Sequence, residues 1–305
     1  KNIEVDPDKS ISIRSFLLGS ISQKISTVNN VLESEDVKST ITVCRKLGVK
    51  IKKIKKKTYK IYGRGLGSLS IKNKAELNFG NSGTLARLLI GILATTPNIN
   101  IKITGDHSLN KRSMEKLINL MSEFGATFLP KYKNTLPLQM ISSEMPIGIT
   151  YKSGVSAQLK SAVILAGLNS YGISLIEEQI SSRDHTENLL KKNTQTIKIK
   201  KKGKKIIKII GRKYLNQINI NVSGDPSSSA FFTALTLLNK NSTLNIKNVG
   251  LNPTRIGFYK ILKKQKAKIK FTNIRKENNE IKGDIQINSC KIKPIITQAN
   301  MYPST

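Results

Sequence analysis

The chain has 305 residues, 52 Lys and Arg against 19 Asp and Glu, a formal net charge of +33 and 38% hydrophobic residues. That length suits about two domains, and no stretch reaches the roughly 18 uninterrupted apolar residues of a membrane span. Cys44 and Cys290 lie far apart and match neither a disulfide framework nor a metal-ligand spacing, so a reducing, cytoplasmic setting is expected.

The opening Lys1-Asn2-Ile3-Glu4-Val5 carries no apolar leader and no Met, which predicts missing residues before it. Four segments then look alike: DKSISIRSFLLGSI from Asp8, NSGTLARLLIGILA from Asn81, GVSAQLKSAVILAGL from Gly154 and GDPSSSAFFTALTLL from Gly224. Each is a small polar turn followed by an apolar run of helix length. Ser10, Gly83, Ser156 and Ser229 recur every 73 residues, and Arg14, Arg87 and Lys160 share that interval. A second helix is predicted in each unit, near SEDVKSTITVCRKLG, GDHSLNKRSMEKLINLMSEFG, SSRDHTENLLKKN and NPTRIGFYKILKK. Ser34, Asp106 or Ser108, and Asp184 read as their caps, Asp184 with Glu187 three residues on as a capping box. Alternating strands fill the spaces between. A unit of this length is longer than a solenoid repeat and reads as a supersecondary module, several packing into one globular domain.

The lysines concentrate in Val49–Tyr62 and Ile197–Ile210, where they interleave with Ile, Val and Tyr. That pattern predicts strands with Lys toward water and apolar residues inward. Nucleic-acid recognition signatures are absent, so no nucleic-acid partner is expected despite the charge. His107 and His185, the only histidines, sit at predicted helix starts and read as hydrogen-bonding residues, with no metal. Gly63-Arg64-Gly65-Leu66-Gly67 lacks a following helix and reads as a turn.

A helix start presents free N–H groups and partial positive charge, and Ser or Gly there lets an anion approach. Lys9, Arg14, Arg87, Arg112, Lys160 and Arg183 lie in or just after such turns. One such turn alone is most often an ordinary cap; recurrence beside cations predicts several anion contacts converging on one centre.

Seven motifs in order carry a resemblance along essentially the whole chain: Asp8-Lys9-Ser10 through Arg14, Gly80-Asn81-Ser82-Gly83-Thr84 through Arg87, Gly105-Asp106 through Arg112, Ser156-Ala157-Gln158-Leu159-Lys160-Ser161, Ser182-Arg183-Asp184-His185-Thr186-Glu187, Gly224-Asp225-Pro226, and Asn252-Pro253-Thr254-Arg255. Together they resemble the EPSP synthase family. The resemblance implies an α/β fold in which βαβαββ units form two domains. It implies transfer of the enolpyruvyl group of phosphoenolpyruvate to the 5-hydroxyl of shikimate 3-phosphate, with phosphate released through a tetrahedral intermediate and no cofactor. It implies shikimate 3-phosphate contacts from Lys9, Ser10, Arg14, Ser156, Ala157, Gln158, Ser182 and its neighbour Arg183. It implies phosphoenolpyruvate contacts from Lys9, Gly83, Arg112 and Gln158, with Lys9 the catalytic cation. Gly83 is also where the family's inhibitor glyphosate would pack.

Asp6-Pro7 stands where the family commonly has Pro-Gly, and Ile13 where it has His or Asn. The family's general-base Asp is expected beyond Thr305, with Pro303-Ser304 as its lead-in, or in a weaker register at Asn300. The chain is therefore expected to be a fragment, inactive alone. Residues 10–221 would form a complete three-unit domain, and 1–9 with 222–305 a second, incomplete one exposing apolar surface. A monomer acting on two small molecules, away from membranes, is expected. The related transferase acting on UDP-N-acetylglucosamine and a basic nucleic-acid-binding protein are the competing readings.

Overall fold

A computed structural model of the chain describes residues 1–292 and Pro294; the Pro303-Ser304 and Asn300 expectations lie outside the described residues. After β1 (Asn2–Glu4) the first unit runs α1 (Lys9–Ile21), β2 (Ile25–Asn29), α2 (Glu35–Lys46), β3 (Lys50–Lys55) and β4 (Thr58–Tyr62). The second runs β5 (Glu76–Asn78), α3 (Gly83–Ala94), β6 (Asn100–Thr104), α4 (His107–Asn110), α5 (Glu115–Glu123), β7 (Thr127–Leu129) and β8 (Leu138–Ile141). The third is β9 (Thr150–Ser153), α6 (Ala157–Asn169), β10 (Ile173–Glu178), α7 (His185–Leu190), β11 (Ile197–Lys202) and β12 (Lys204–Ile210). After β13 (Asn219–Asn221) the fourth is α8 (Pro226–Leu238), β14 (Thr243–Gly250), α9 (Gly257–Lys264), β15 (Ile269–Glu277) and β16 (Glu280–Asn288).

All four sheets of the described residues share one plan, a parallel pair followed by two antiparallel neighbours: β5-β6-β8-β7, β9-β10-β12-β11, β13-β2-β4-β3 and β1-β14-β16-β15. The parallel pair needs a crossover helix, which α3 and α6 supply within their own units. The first and fourth units lack a leading strand of their own. β13 pairs with β2 from 192 residues away, Asn219 opposite Thr27, and β1 pairs with β14, Asn2 opposite Asn245.

Each of the four apolar runs is a helix that starts at a side-chain cap. Asp8 accepts from Ile11 N, Ser82 from Leu85 N, Ser156 from Leu159 N and Asp225 from Ser227 N. The caps are 74, 74 and 69 residues apart, so the 73-residue register is corrected: it matches residues one to four places off the structural equivalents. Ser34 stands at the N-cap of α2 but makes no side-chain cap bond, and Asp106 rather than Ser108 caps α4. Asp184 and Glu187 form no capping box, because both side chains are engaged elsewhere.

α1 and α6 are buried on every face, which explains why their sequences show little amphipathic stripe, and α3 is buried apart from Thr84 and Arg87. They lie at the centre of one continuous apolar cluster running from Ile11 to Val222; a second cluster runs from Leu237 to Ile287. α8 differs, with Phe231, Leu235 and Leu238 each at least 60% exposed. The Lys-rich stretches are the antiparallel hairpins β3–β4 and β11–β12, with Ile51, Ile61, Ile207 and Ile209 buried as their pattern predicts.

Close approach of α3 and α6 depends on Gly91. A Cβ there would lie 2.6 Å from the Ala162 carbonyl oxygen and 2.9 Å from its Cα. Backbone on both sides cannot yield, so Gly91→Ala is expected to destabilise the fold by about 1–3 kcal/mol, read as a lower midpoint in urea. An unchanged midpoint would mean the two helices separate at no cost.

Candidate active site

The starts of α1, α3, α6 and α8 meet. Gln158, in the first turn of α6, donates to Thr84 Oγ1 of α3 at 3.0 Å. Arg14 of α1 donates from Nη2 to Ser161 Oγ of α6 at 3.3 Å and from Nε to Thr186 Oγ1 of α7 at 2.9 Å. Its third hydrogen bond holds the Ser10 carbonyl at 3.1 Å. Burial lowers the Arg14 guanidinium to about 10, opposed by the charges of Asp8 and Glu187, so it stays protonated at neutral pH. α8 joins through Arg255, whose Nη2 lies 3.4 Å from Asp8 Oδ2 and 2.8 Å from Asp225 Oδ1, the N-cap residues of α1 and α8.

Lys9 opens α1, half-exposed, with its ammonium 3.0 Å from Asp36. Ser10, Ser156, Ala157 and Gln158 are part-buried around the same mouth. Opposite, Gly83 opens α3 beneath two guanidinium groups: a Cβ on it would lie 2.9 Å from Arg87 Nη1 and 3.0 Å from Arg112 Nη1. Arg112 is steered there by hydrogen bonds to Asn81 Oδ1 at 2.6 Å and Ser108 Oγ at 3.3 Å. Arg87 is held below its ordinary value by burial and then by the charge of Arg112. Among the described residues no carboxylate lies within ion-pair distance of Arg87, Arg112 or Arg183. Arg183 is part-buried and lowered by burial and by Arg255, with Asp8 and Asp225 opposing. Four helix starts and three guanidinium groups without a carboxylate partner among the described residues gather at one mouth, an arrangement that suits polyanionic small molecules.

Two expected anion contacts are turned inward. Lys160 is fully buried and spent on Glu178 at 2.6 Å and Glu187 at 2.8 Å. Ser182 is buried and donates both its N–H and its hydroxyl to Glu178, at 2.9 and 3.0 Å. His185 lies 2.9 Å from Glu280 through Nδ1, while His107 is exposed. Gly63 to Gly67 form the turn after β4. Among the described residues no group of three His, Cys, Asp or Glu side chains is placed to hold a metal ion.

Sequence reasoning assigned no role to Asp8, Asp225 and Arg255, and did not single out Glu178. One signal was available: in a chain with 19 acids against 52 bases, an acid at a strand end or helix start beside a site motif is unusual.

Residues 1–302 match the family model described as EPSP synthase (3-phosphoshikimate 1-carboxyvinyltransferase). The chain is 38% identical over 304 residues to the 3-phosphoshikimate 1-carboxyvinyltransferase of Zymomonas mobilis, covering 99% of this chain and 67% of that protein. It is 38% identical over 302 residues to the enzyme of the same name from Bacillus cytotoxicus, covering 99% and 70%. Its fold superposes on the solved EPSP synthase of Acinetobacter baumannii with a TM-score of 0.86 and 34% identity, covering 99% of this chain and 68% of that one. The chain thus spans about two thirds of the length of these relatives.

Proposed function

This chain belongs to the EPSP synthase family, and from that premise we propose that the mouth formed by the four helix starts holds shikimate 3-phosphate and phosphoenolpyruvate side by side. The function is enolpyruvyl transfer from phosphoenolpyruvate to the 5-hydroxyl of shikimate 3-phosphate, releasing phosphate. On the shikimate 3-phosphate side stand Ser10, Arg14, Ser156, Ala157 and Gln158, with the Ser182–Arg183 segment at its phosphate. On the phosphoenolpyruvate side stand Gly83, where the missing side chain lets the backbone come close, Arg112 and Gln158. Lys9 lies between the two groups and offsets charge that develops on the transferring unit; binding draws its ammonium away from Asp36. The observation that carries the assignment is the cationic mouth itself, Arg87, Arg112 and Arg183 without a carboxylate partner among the described residues.

The reading extends to organisation and partners. Residues 10–221 form one domain and residues 1–9 with 222–305 a second, an arrangement supported by the two separate apolar clusters and by the strand exchange of β1 and β13. The protein acts as a cytoplasmic monomer on small molecules. Its lysines serve the wet faces of two hairpins rather than a nucleic acid, and a DNA gel shift at moderate salt is expected to show no complex.

Calorimetry tests the site. Shikimate 3-phosphate is expected to bind, and phosphoenolpyruvate to bind in its presence. Arg112→Ala removes a charged donor from phosphoenolpyruvate and is expected to weaken that ligand about 10–100-fold while leaving shikimate 3-phosphate within about twofold. An equal loss for both ligands would place Arg112 outside the phosphoenolpyruvate side.

A further inference from the structure

We propose that Glu178, through Ser182, is a positioning residue that aims Arg183 at the phosphate of shikimate 3-phosphate. The inference rests on the reading just given, that the 182–183 segment serves that phosphate. Glu178 is the last residue of β10 and its side chain is 1% exposed. Its Oε1 accepts three hydrogen bonds: from Ser182 N at 2.9 Å, Ser182 Oγ at 3.0 Å and Lys160 Nζ at 2.6 Å. Its Oε2 lies 2.8 Å from Lys205 Nζ. Glu187 closes the group, 2.8 Å from Lys160 and 3.2 Å from Lys205. Two carboxylates and two ammonium groups, drawn from α6, β10, α7 and β12, thus balance one another in the interior.

The segment that leaves β10 has little else to hold it. Among the described residues, Ser182 N–H is the one backbone donor between Gln179 and Arg183 with a hydrogen-bond partner. A carboxylate with two of its acceptor positions on one serine pins both the backbone and the side chain of that residue, and so sets where the next side chain departs. The same bond settles what Ser182 can offer. A phosphate dianion brings acceptors alone, and a hydroxyl that has given its proton to Glu178 has none left to donate. Recognition then falls to the Arg183 guanidinium, a forked donor suited to phosphate.

The experiment compares dissociation constants for shikimate 3-phosphate and for shikimate, which lacks the phosphate, so that general loosening of the site cancels in their ratio. Arg183→Ala is expected to shrink the preference for the phosphorylated ligand at least about tenfold, Glu178→Gln to shrink it about tenfold, and Ser182→Ala less than about threefold. Should Glu178→Gln fail to fold, Lys160→Met/Glu178→Gln keeps the buried charges balanced while withdrawing the carboxylate, and is expected to give the same shrinkage. A wild-type ratio in Arg183→Ala would overturn the underlying placement of the segment at the phosphate. A reduced ratio in Arg183→Ala with a wild-type ratio in the folded Glu178 variant overturns the positioning role alone. A loss in Ser182→Ala as large as in Arg183→Ala also overturns it, because the hydroxyl would then be giving its proton to the phosphate directly.

Discussion

Lys160→Met is expected to destabilise the protein by about 3–5 kcal/mol, the range for removing one partner of a buried ion pair. Lys160 is 0% exposed and its ammonium is shared between Glu178 and Glu187. Methionine keeps most of the stem volume, so the loss is electrostatic: two buried carboxylates remain with Lys205 alone. Burial pushes the Glu178 carboxyl up, but the Lys160 charge and hydrogen bonds from Lys160, Lys205 and Ser182 N–H outweigh it and hold it down at about 2. A carboxyl held below its unfolded value of 4.5 contributes stability in full above that value and loses it as the pH falls through about 2. In Lys160→Met that depression is largely gone, so the deficit measured in urea should be largest at neutral pH and narrow as the pH falls from ~4.5 toward ~2. Lys160→Met/Glu178→Gln should recover part of it, because it removes the orphaned charge as well, and the coupling between the two sites should appear in a double-mutant cycle. A deficit near zero at pH ~7 would mean that water reaches the group and screens it.

Arg255→Leu is expected to cost a similar about 3–5 kcal/mol, for a different reason. Arg255 is the cation between Asp8 and Asp225, both of which cap helix starts. Burial pushes the Asp8 carboxyl up, but Arg255 and then His185, the Ile11 N–H and Arg14 bring it below the ordinary range. Asp225 is raised by burial and by the charge of Asp8, with Arg255 opposing. Without the guanidinium Asp8 rises above its unfolded value and Asp225, already raised, rises further. The contribution of such groups is present at low pH and lost as pH rises through the folded value, so the variant should be relatively more stable at pH ~5 than at pH ~7. Because Asp8 precedes Lys9 and caps α1, shikimate 3-phosphate affinity should fall along with stability. A pH-independent deficit would show that the two carboxylates find other partners.

The two sets of charges differ in how legible they were. Asp8 and Arg255 sit within motifs that any reading of the chain singles out, yet nothing in their spacing, 247 residues apart, says that they touch. Lys160 was visible as a cation following a helix start, and was expected to face an anion. Its partners, Glu178 at a strand end and Glu187 in α7, lie 18 and 27 residues on, and only the return of β10 and α7 against α6 turns that lysine inward. Glu187 reads as a local capping residue because it lies three residues after Asp184 at a helix start; tertiary pairing with two lysines wins over a weak local bond.

Local physics is what the amino-acid sequence determined alone: which runs become helices, where small polar caps start them, which lysine rows become hairpins with a wet face, and that the unit recurs. These follow from periodicity and capping, interactions that reach only a few residues along the chain. The order of the motifs also carried the family. What only the tertiary structure decided is which strand completes which sheet and which charges meet. The first and fourth units borrow β13 and β1 from distant chain, and a strand's hydrogen-bonding edge is the same whichever segment fills it. The fate of each cation depended likewise on burial and on partners brought from other elements, so that Lys160 is spent inside the fold while Arg112 stays at the mouth.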